Sequence, residues 1–138
     1  MLRMMTIASA CFLCISGCQS YSTGLKQSVD RTDETVAIST LHSIAVAERT
    51  YSVSNEGRYA SLTQLAEAGY LDSRFASDRP LKDYVLTMKI DSDSDPGFSC
   101  AADPRDGRAG RHFLLDSRSG EIHVNDTQPA STTDPAIQ

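Results

Sequence analysis

YVLTMKI, at residues 84–90, marks the point where the apolar residues change from helical to alternating spacing. Tyr, Leu, Met and Ile occupy every second position, which is the period of a strand with one apolar face. Three further segments of strand character are separated by turn residues: 97–102, 111–116 and 121–124. In the last hairpin Phe113 should lie opposite Val124. The pattern predicts four antiparallel strands.

Two helices are predicted ahead of the strands. Residues 30–54 contain no Gly or Pro, and their apolar residues recur at helical spacing. Asn55-Glu56-Gly57 should end this helix, because Asn and Gly tolerate the left-handed conformation. Ser61-Leu62-Thr63-Gln64 fits a capping box for a short second helix that Gly69 closes. The predicted fold class is α+β, with a long N-terminal helix plus a short helix packed on a four-stranded antiparallel sheet.

The predicted core joins the long helix to one face of this sheet. Leu41, Ile44 and Tyr51 should pack on the apolar positions of the strands, which are Tyr84, Leu86, Met88, Phe113, Leu115, Ile122 and Val124. Cys100 lies in an apolar segment without a basic neighbour that would lower the pKa of its thiol. Packing in the core is therefore its expected role.

The first eighteen residues have the parts of a secretory signal. Arg3 precedes an apolar run at residues 4–15, which is shorter than the roughly 20 residues of a membrane span. Ile15-Ser16-Gly17-Cys18 resembles the lipobox of bacterial lipoproteins. That resemblance implies export, cleavage after Gly17 and lipid on Cys18, and Gln19 resembles a signal for outer-membrane sorting. The alternative, an ordinary secretory cut after Ala8-Ser9-Ala10, would leave an unusually short apolar core.

Composition limits what the remaining chain can be. Removing residues 1–17 from the 138 residues leaves 121, enough for one domain. The mature chain then has 12 Lys and Arg against 18 Asp and Glu, which disfavours nucleic-acid binding. Polar residues 18–29 are predicted to be a flexible tether and residues 30–124 the globular domain. Residues 125–138, mainly Asp, Thr, Ser, Pro and Gln, are predicted to be a disordered tail.

Several segments of this domain resemble bacterial type IV pilin-like and type II secretion pseudopilin domains. The residues that carry the resemblance lie at 47–51, 57–65, 68–71, 84–86, 98–104, 113–116 and 120–122. The resemblance covers residues 34–124 and implies a pilin-like head domain. Pilins are cut before an apolar run of about twenty residues, whereas here the apolar run precedes the cut and Ser22 stands where pilins usually have Glu. Filament assembly is therefore not implied, and the soluble domain should be monomeric.

Two sets of side chains are candidate metal ligands. Asp91, Asp93 and Asp95 look like the opening of a calcium loop, although Pro96 replaces the Gly that an EF-hand requires. Some secretion pseudopilins hold calcium in a β-region loop, so the resemblance keeps these three aspartates as a calcium candidate against a solvated hairpin loop.

A second metal candidate lies on the last hairpin, where His112 and His123 should be diagonal neighbours. They are either ordinary strand residues or an incomplete metal site, because no third ligand is fixed beside them. No other cofactor is indicated.

The sequence contains neither a G-x-S-x-G nucleophile motif nor a phosphate-binding loop. The predicted function is a non-catalytic, lipid-anchored protein of the periplasmic face of the envelope, at the outer rather than the inner membrane. Its pilin-like domain would act as a protein-interaction module, with a secretion or pilus-type system as the candidate partner. Residues 91–96 and 103–110 are the expected docking loops.

The alternative function is a ligand- or calcium-binding, or hydrolytic, envelope lipoprotein. It would require His42, His112 or His123 to meet carboxylates in a cleft, with a site built from residues distant in sequence.

Overall fold

A computed structural model describes residues 19–92, 95–106 and 108–137, with side chains from residue 30 onward. The helices are α1 (Gln19–Ser54), α2 (Leu62–Glu67) and a short 3-10 helix at Ser73–Ala76. The strands are β1 (Tyr84–Asp91), β2 (Gly97–Pro104), β3 (His112–Asp116), β4 (Ile122–Asn125) and β5 (Ala136–Ile137). They form one antiparallel sheet in the order β1-β2-β3-β4-β5.

The chain is α+β as predicted, but the prediction of a four-stranded sheet under the helices is wrong because the sheet has five strands. The fifth strand comes from residues 125–138, which composition marked as a disordered tail. Ile137 pairs with Ile122 and is packed against the core, and the N–H of Val124 donates to the carbonyl of Pro135 at 2.9 Å. The amino-acid composition did not predict this strand, because composition reports only how much of a segment is apolar. It does not report the local turns that can direct one apolar residue, here Ile137, towards the core.

Helix α1 begins earlier than predicted. Its backbone is helical from Gln19, so residues 19–29, predicted to be a flexible tether, continue the helix. Helix propagation adds one hydrogen bond for each residue ordered, and this segment contains no Pro to stop it. The signal segment and Cys18 lie outside the described residues. Within the described ranges, no helix is both long and apolar enough to cross a membrane.

The predicted register of the last hairpin is confirmed. Phe113 pairs with Val124 and Leu115 pairs with Ile122, and all four side chains belong to or pack against the core. The alternation of apolar residues in this hairpin therefore predicted correctly which side chains face the core.

One apolar core joins α1 to the sheet. Leu41 and Ile44 are fully buried and share a cluster with the sheet residues, which are Tyr84, Phe98, Cys100, Ala102, Phe113, Leu115 and Ile122. The predicted packing of these two helix residues is confirmed. Tyr51 differs, because it packs in a second cluster with Ala60 and Leu65, where α2 and its flanking loop cover the helix.

A charged contact also holds α1 against the sheet. The carboxylate of Glu34 accepts hydrogen bonds from the backbone N–H, Nε and Nη2 of Arg111, at 3.1, 3.0 and 2.8 Å. Arg111 directly precedes β3, and the hydroxyl of Tyr84 donates to its carbonyl at 3.0 Å. These bonds connect the N-terminal half of the described helix to β1 and to the start of β3.

Candidate functional site

A groove of about 1170 Å3 lies between α1 and residues 69–75. The α1 side of the groove is lined by Val36, Ser43, Val46 and Thr50, among others. The opposite wall presents Tyr70, Leu71 and Phe75. The groove therefore has apolar groups on both walls.

The wall opposite α1 is built by local capping signals. The predicted capping box of α2 is confirmed, since Ser61 Oγ accepts from the N–H of Gln64 and the Gln64 side chain accepts from the N–H of Ser61. Gly69 ends the helix at φ +80°, a conformation that favours glycine. The chain then turns back, and the N–H of Tyr70 donates to the carbonyl of Leu65 at 2.8 Å. This Gly69 turn sets the position of Tyr70 beside α1, where its ring meets that of Tyr51 edge-on at 5.5 Å.

The outward face of α1 carries an uncovered row of small residues. Val36, Val46 and Val53 are 44%, 66% and 83% exposed. The complete row alternates steps of three and four residues: Val36, Ser39, Ser43, Val46, Thr50 and Val53. We call these six residues the outer stripe. Such spacing is the heptad pattern of a helix that packs against another helix.

The hydroxyl groups of the outer stripe are already hydrogen-bonded within α1. Ser39 donates to the carbonyl of Val36 at 3.0 Å, and Ser43 donates to the carbonyl of Ser39 at 2.9 Å. Thr50 donates to the carbonyl of Val46 at 2.8 Å. Covering these side chains would therefore leave no unpaired hydroxyl donor.

Basic side chains border the outer stripe on both sides. Arg31, His42 and Arg49 are exposed along one side of α1. Arg74 is exposed on the opposite wall, where its guanidinium lies 5.1 Å from the centre of the Phe75 ring. The exposed carboxylate of Asp72 lines the same wall. The groove lining itself therefore contains one arginine, one carboxylate and one histidine, whereas Arg31 and Arg49 line separate pockets.

Glu48 is a buried acid that sequence reasoning missed. It continues the inward row of Ala37, Leu41 and Ile44 at helical spacing, and its side chain is fully buried. The carboxyl group accepts from the N–H of Ala60 at 3.1 Å. Burial raises its pKa to about 7, and the hydrogen bond from Ala60 lowers it only in part. The spacing of the inward row was the signal that could have identified this residue.

The proposed calcium ligands contact an arginine. Asp91 Oδ2 lies 3.2 Å from Arg118 Nη1, and Asp95 Oδ2 lies 3.4 Å from Arg118 Nε. Asp93 lies outside the described residues. Among the described residues, no group of three or more His, Cys, Asp or Glu could hold a metal ion. The calcium assignment stays a prediction, and calcium would have to displace the guanidinium from these carboxylates.

The second predicted docking loop, at residues 103–110, folds back on the chain that leads into β1. Arg105 donates to the carbonyl oxygens of Lys82 and Leu81, both at 3.1 Å. Arg108 forms an ion pair with the buried Asp83 at 3.0 Å. These two basic side chains therefore make intramolecular contacts.

The three histidines do not share one site. His42 lines the groove, whereas His112 and His123 lie on the sheet face away from α1. His112 Nδ1 lies 2.7 Å from Asp103 Oδ1. His123 Nδ1 donates to the carbonyl of Asp134 at 2.8 Å, and its Nε2 is buried without a hydrogen-bond partner among the described residues. His112 and His123 are diagonal neighbours as predicted.

The predicted burial of Cys100 is confirmed. Its side chain is fully buried in the core between α1 and the sheet. Burial, reinforced by the nearby Glu48 charge, raises the pKa of the thiol to about 12. The reactive thiolate is therefore scarce at neutral pH.

Comparisons of the chain with protein-family models, with curated proteins and with solved structures found no match.

Proposed function

We propose that this chain is a non-catalytic, lipid-anchored envelope protein whose folded domain binds another protein. The observation that carries the proposal is the groove beside α1, where the exposed Val36 and Val46 face a wall that includes Tyr70, Leu71 and Phe75. Contiguous apolar surface that is left uncovered is typical of interaction sites. The groove replaces the loops at 91–96 and 103–110 as the favoured docking surface, because Arg118, Arg105 and Arg108 tie those loops to the domain.

The surroundings of the reactive groups support a binding role over a catalytic one. The Cys100 thiol is buried and has a raised pKa, which opposes nucleophilic chemistry. Glu48 is fully buried, so a substrate could not reach its carboxyl group in this conformation. Both residues contribute to the interior of the domain.

The location proposed for this domain rests on resemblance. The lipobox-like residues ending in Cys18 would place lipid just before α1, at the periplasmic face and at the outer membrane rather than the inner. The pilin-like resemblance of residues 34–124 makes a secretion or pilus-type system the candidate source of the partner. The helical backbone from Gln19 would then hold the domain away from the membrane on a helix.

A hydrolytic lipoprotein is the second candidate, and one contact favours it. The 2.7 Å pair of His112 and Asp103 is the arrangement that orients a histidine as a general base. A nucleophile beside this pair would be required as well. The groove has the larger set of supporting observations, so binding is the preferred function.

Site-specific photo-cross-linking in intact envelopes tests the docking role. A photoreactive residue at Val46 should give a discrete adduct, and the same residue at Val85, 40% exposed on the opposite sheet face, should not. Ser43→Trp, which places a bulky ring in the middle of the outer stripe, should abolish the adduct. Equal adducts at Val46 and Val85, or none at Val46, would contradict the proposed function.

A further inference from the structure

We infer that a small cavity between α1 and the sheet binds a carboxylate that carries a short apolar group. The cavity has a volume of about 120 Å3 and shares no lining residue with the groove. The inference therefore goes beyond the proposed docking function and does not depend on it. It follows from the apolar walls, the hydrogen-bond donors, the charge and the size of this cavity.

Aromatic and aliphatic side chains form part of the cavity wall. Phe98 of β2 and Leu115 of β3 both line it, and both are almost fully buried. The ring of Tyr59 also lines the cavity, 5.0 Å from the ring of Phe98 and tilted against it by 59°. An apolar group that enters the cavity would therefore leave water and contact two aromatic rings and a leucine.

Three hydrogen-bond donors that line the cavity have no acceptor among the described residues. They are the guanidinium of Arg49 and the hydroxyl groups of Tyr59 and Ser117. The Ser117 oxygen accepts from the N–H of Phe98 at 2.7 Å, which leaves its own proton free to donate. The Ser52 hydroxyl differs, because it already donates to the carbonyl of Arg49 at 2.9 Å. Free donors around one cavity match a ligand with several acceptor oxygens.

The charge of the lining favours an anionic ligand. Arg49 is the one charged residue among those that line the cavity, and it forms no ion pair within the described part of the chain. Arg111 and Arg118, by contrast, pair with Glu34 and Asp91. The groove and the pocket beside Arg111 both include carboxylates in their linings. A carboxylate would complement Arg49, because a planar guanidinium can donate two parallel hydrogen bonds to it.

The volume limits the ligand to a small group. An apolar cavity of about 150 Å3 holds one benzene molecule, and pockets for drug-sized ligands measure about 300 to 1,000 Å3. A cavity of about 120 Å3 should therefore hold roughly three to five carbon atoms. A free short-chain acid and the C-terminal Val of a polypeptide both offer this chemistry, a carboxylate beside a short aliphatic group.

Isobutyrate and isobutyramide are matched probes, because they have the same shape and differ in charge. Titration of the isotope-labelled full chain in detergent micelles, followed by NMR, should shift the N–H signals of Phe98 and Ser117 until the cavity is saturated. Isobutyrate should bind with a dissociation constant of about 1 mM, which is reasonable for a ligand with six non-hydrogen atoms. Isobutyramide should bind at least about tenfold more weakly, since it brings no charge to Arg49.

Three variants test the assigned donors. Arg49→Gln should weaken isobutyrate to the level of isobutyramide, and Tyr59→Phe, which removes only a hydroxyl group, should weaken it at least about threefold. Arg31→Gln is the matched control, because Arg31 is also exposed on α1 but lines a different pocket. It should leave binding unchanged. Circular dichroism of all three variants should match the unaltered chain.

Two tripeptides identify the source of the carboxylate. Acetyl-Gly-Ala-Val ends in a free carboxylate, and its amidated twin does not. If the free-acid peptide binds more tightly than isobutyrate and the amidated twin does not bind, the ligand is the C-terminus of a polypeptide. If the free-acid peptide binds no more tightly than isobutyrate, the ligand is a free short-chain acid. Either result supports a carboxylate site.

Three results would overturn the inference: no saturable shift with isobutyrate, equal binding of isobutyrate and isobutyramide, or isobutyrate binding that is indifferent to Arg49→Gln. The proposed docking function has a separate test, because Val46 does not line this cavity. A Val46 adduct without isobutyrate binding would leave the docking role standing and remove the carboxylate site. Isobutyrate binding without a Val46 adduct would do the reverse.

Discussion

At the scale of single residues, Glu48 has unfavourable surroundings for its charge. The side chain has no exposed surface, and one backbone N–H, that of Ala60, is the hydrogen-bond donor to its two oxygens. Loss of hydration therefore outweighs this bond and raises the pKa of Glu48 to about 7. The carboxyl group makes the stability of the domain depend on pH near neutrality.

Glu48→Gln should remove this dependence. The pKa rises from 4.5 in the unfolded chain to about 7 in the folded chain, so between these values the folded chain binds more protons. The free energy of unfolding contributed by Glu48 therefore falls as the pH rises from 4.5 to 7. Urea unfolding at pH 8 should show Glu48→Gln more stable by about 1 to 3 kcal/mol, with little difference at pH 4.5.

Glu67→Gln is the matched control for this substitution, because Glu67 is exposed at the end of α2. It should leave the pH dependence of unfolding unchanged. An equal pH profile for Glu48→Gln and the unaltered chain would mean that Glu48 stays solvated in the folded protein.

At the scale of elements, α1 presents two opposite faces. Its inward row of Ala37, Leu41 and Ile44 is fully buried, whereas Val46 and Val53 on the outer stripe are largely exposed. The two rows contain similar aliphatic groups. Burial against the sheet, rather than residue type, therefore determines which row stabilises the domain.

Leu41→Ala and Val46→Ala should differ strongly in stability. Removing a fully buried leucine side chain costs about 2 to 5 kcal/mol, and the melting temperature should fall by many degrees. Val46→Ala removes an exposed side chain from the same helix and should change stability by less than about 0.5 kcal/mol. Thermal unfolding followed by circular dichroism measures both, and equal midpoints would mean that α1 does not pack on the sheet.

Strand β5 should depend on one partly buried carboxylate. Asp134 accepts from the N–H and Oγ of Ser131 at 2.7 and 2.9 Å, and from Asn125 Nδ2 at 3.0 Å. Asp134→Ala should release β5, and hydrogen exchange at the Val124 N–H, which donates to Pro135, should become faster. Asp126→Ala, an exposed change in the same segment, should leave that exchange rate unchanged.

Acidic pH should weaken the pairing of β5, as Asp134→Ala does. The hydrogen bond from the Ser131 backbone, followed by those from side chains, lowers the pKa of Asp134 below 3.8. A lowered pKa in the folded chain stabilises the turn above pH 3.8 and loses that effect as the pH falls through the lowered value. Protection of Val124 that persists in Asp134→Ala would show that backbone pairing alone holds β5.

At the scale of the whole molecule, the position of the domain in the cell should depend on Cys18. A diacylglycerol group with an additional amide-linked chain holds a protein firmly, whereas one acyl chain holds it only marginally. Cys18→Ser should abolish metabolic labelling with a fatty acid and leave the chain as precursor or mislocalised. Equal labelling of the Cys18→Ser variant and the unaltered chain would contradict the lipobox interpretation. Cys100→Ser is the control: it changes a cysteine in the buried core and should leave the labelling unchanged.

Sequence by itself determined the features that depend on neighbouring residues. The alternation of apolar residues at 84–90 and around Phe113 predicted which face of each strand turns to the core, because successive side chains on a strand point to opposite faces. Ser61 and Gln64 specified the start of α2 because a capping box needs only a spacing of three residues. The inward side of α1 was likewise readable from helical spacing.

Only the tertiary structure decided how distant segments share a surface. The outer stripe was readable as a pattern, but its exposure depends on which side of α1 the sheet and residues 69–75 cover. Arg118 meets Asp91 and Asp95 because the two hairpin turns lie together, and β5 forms because turns bring Ile137 back to Ile122. These contacts depend on the path of the whole chain, whereas periodicity reports only which side of one element is apolar.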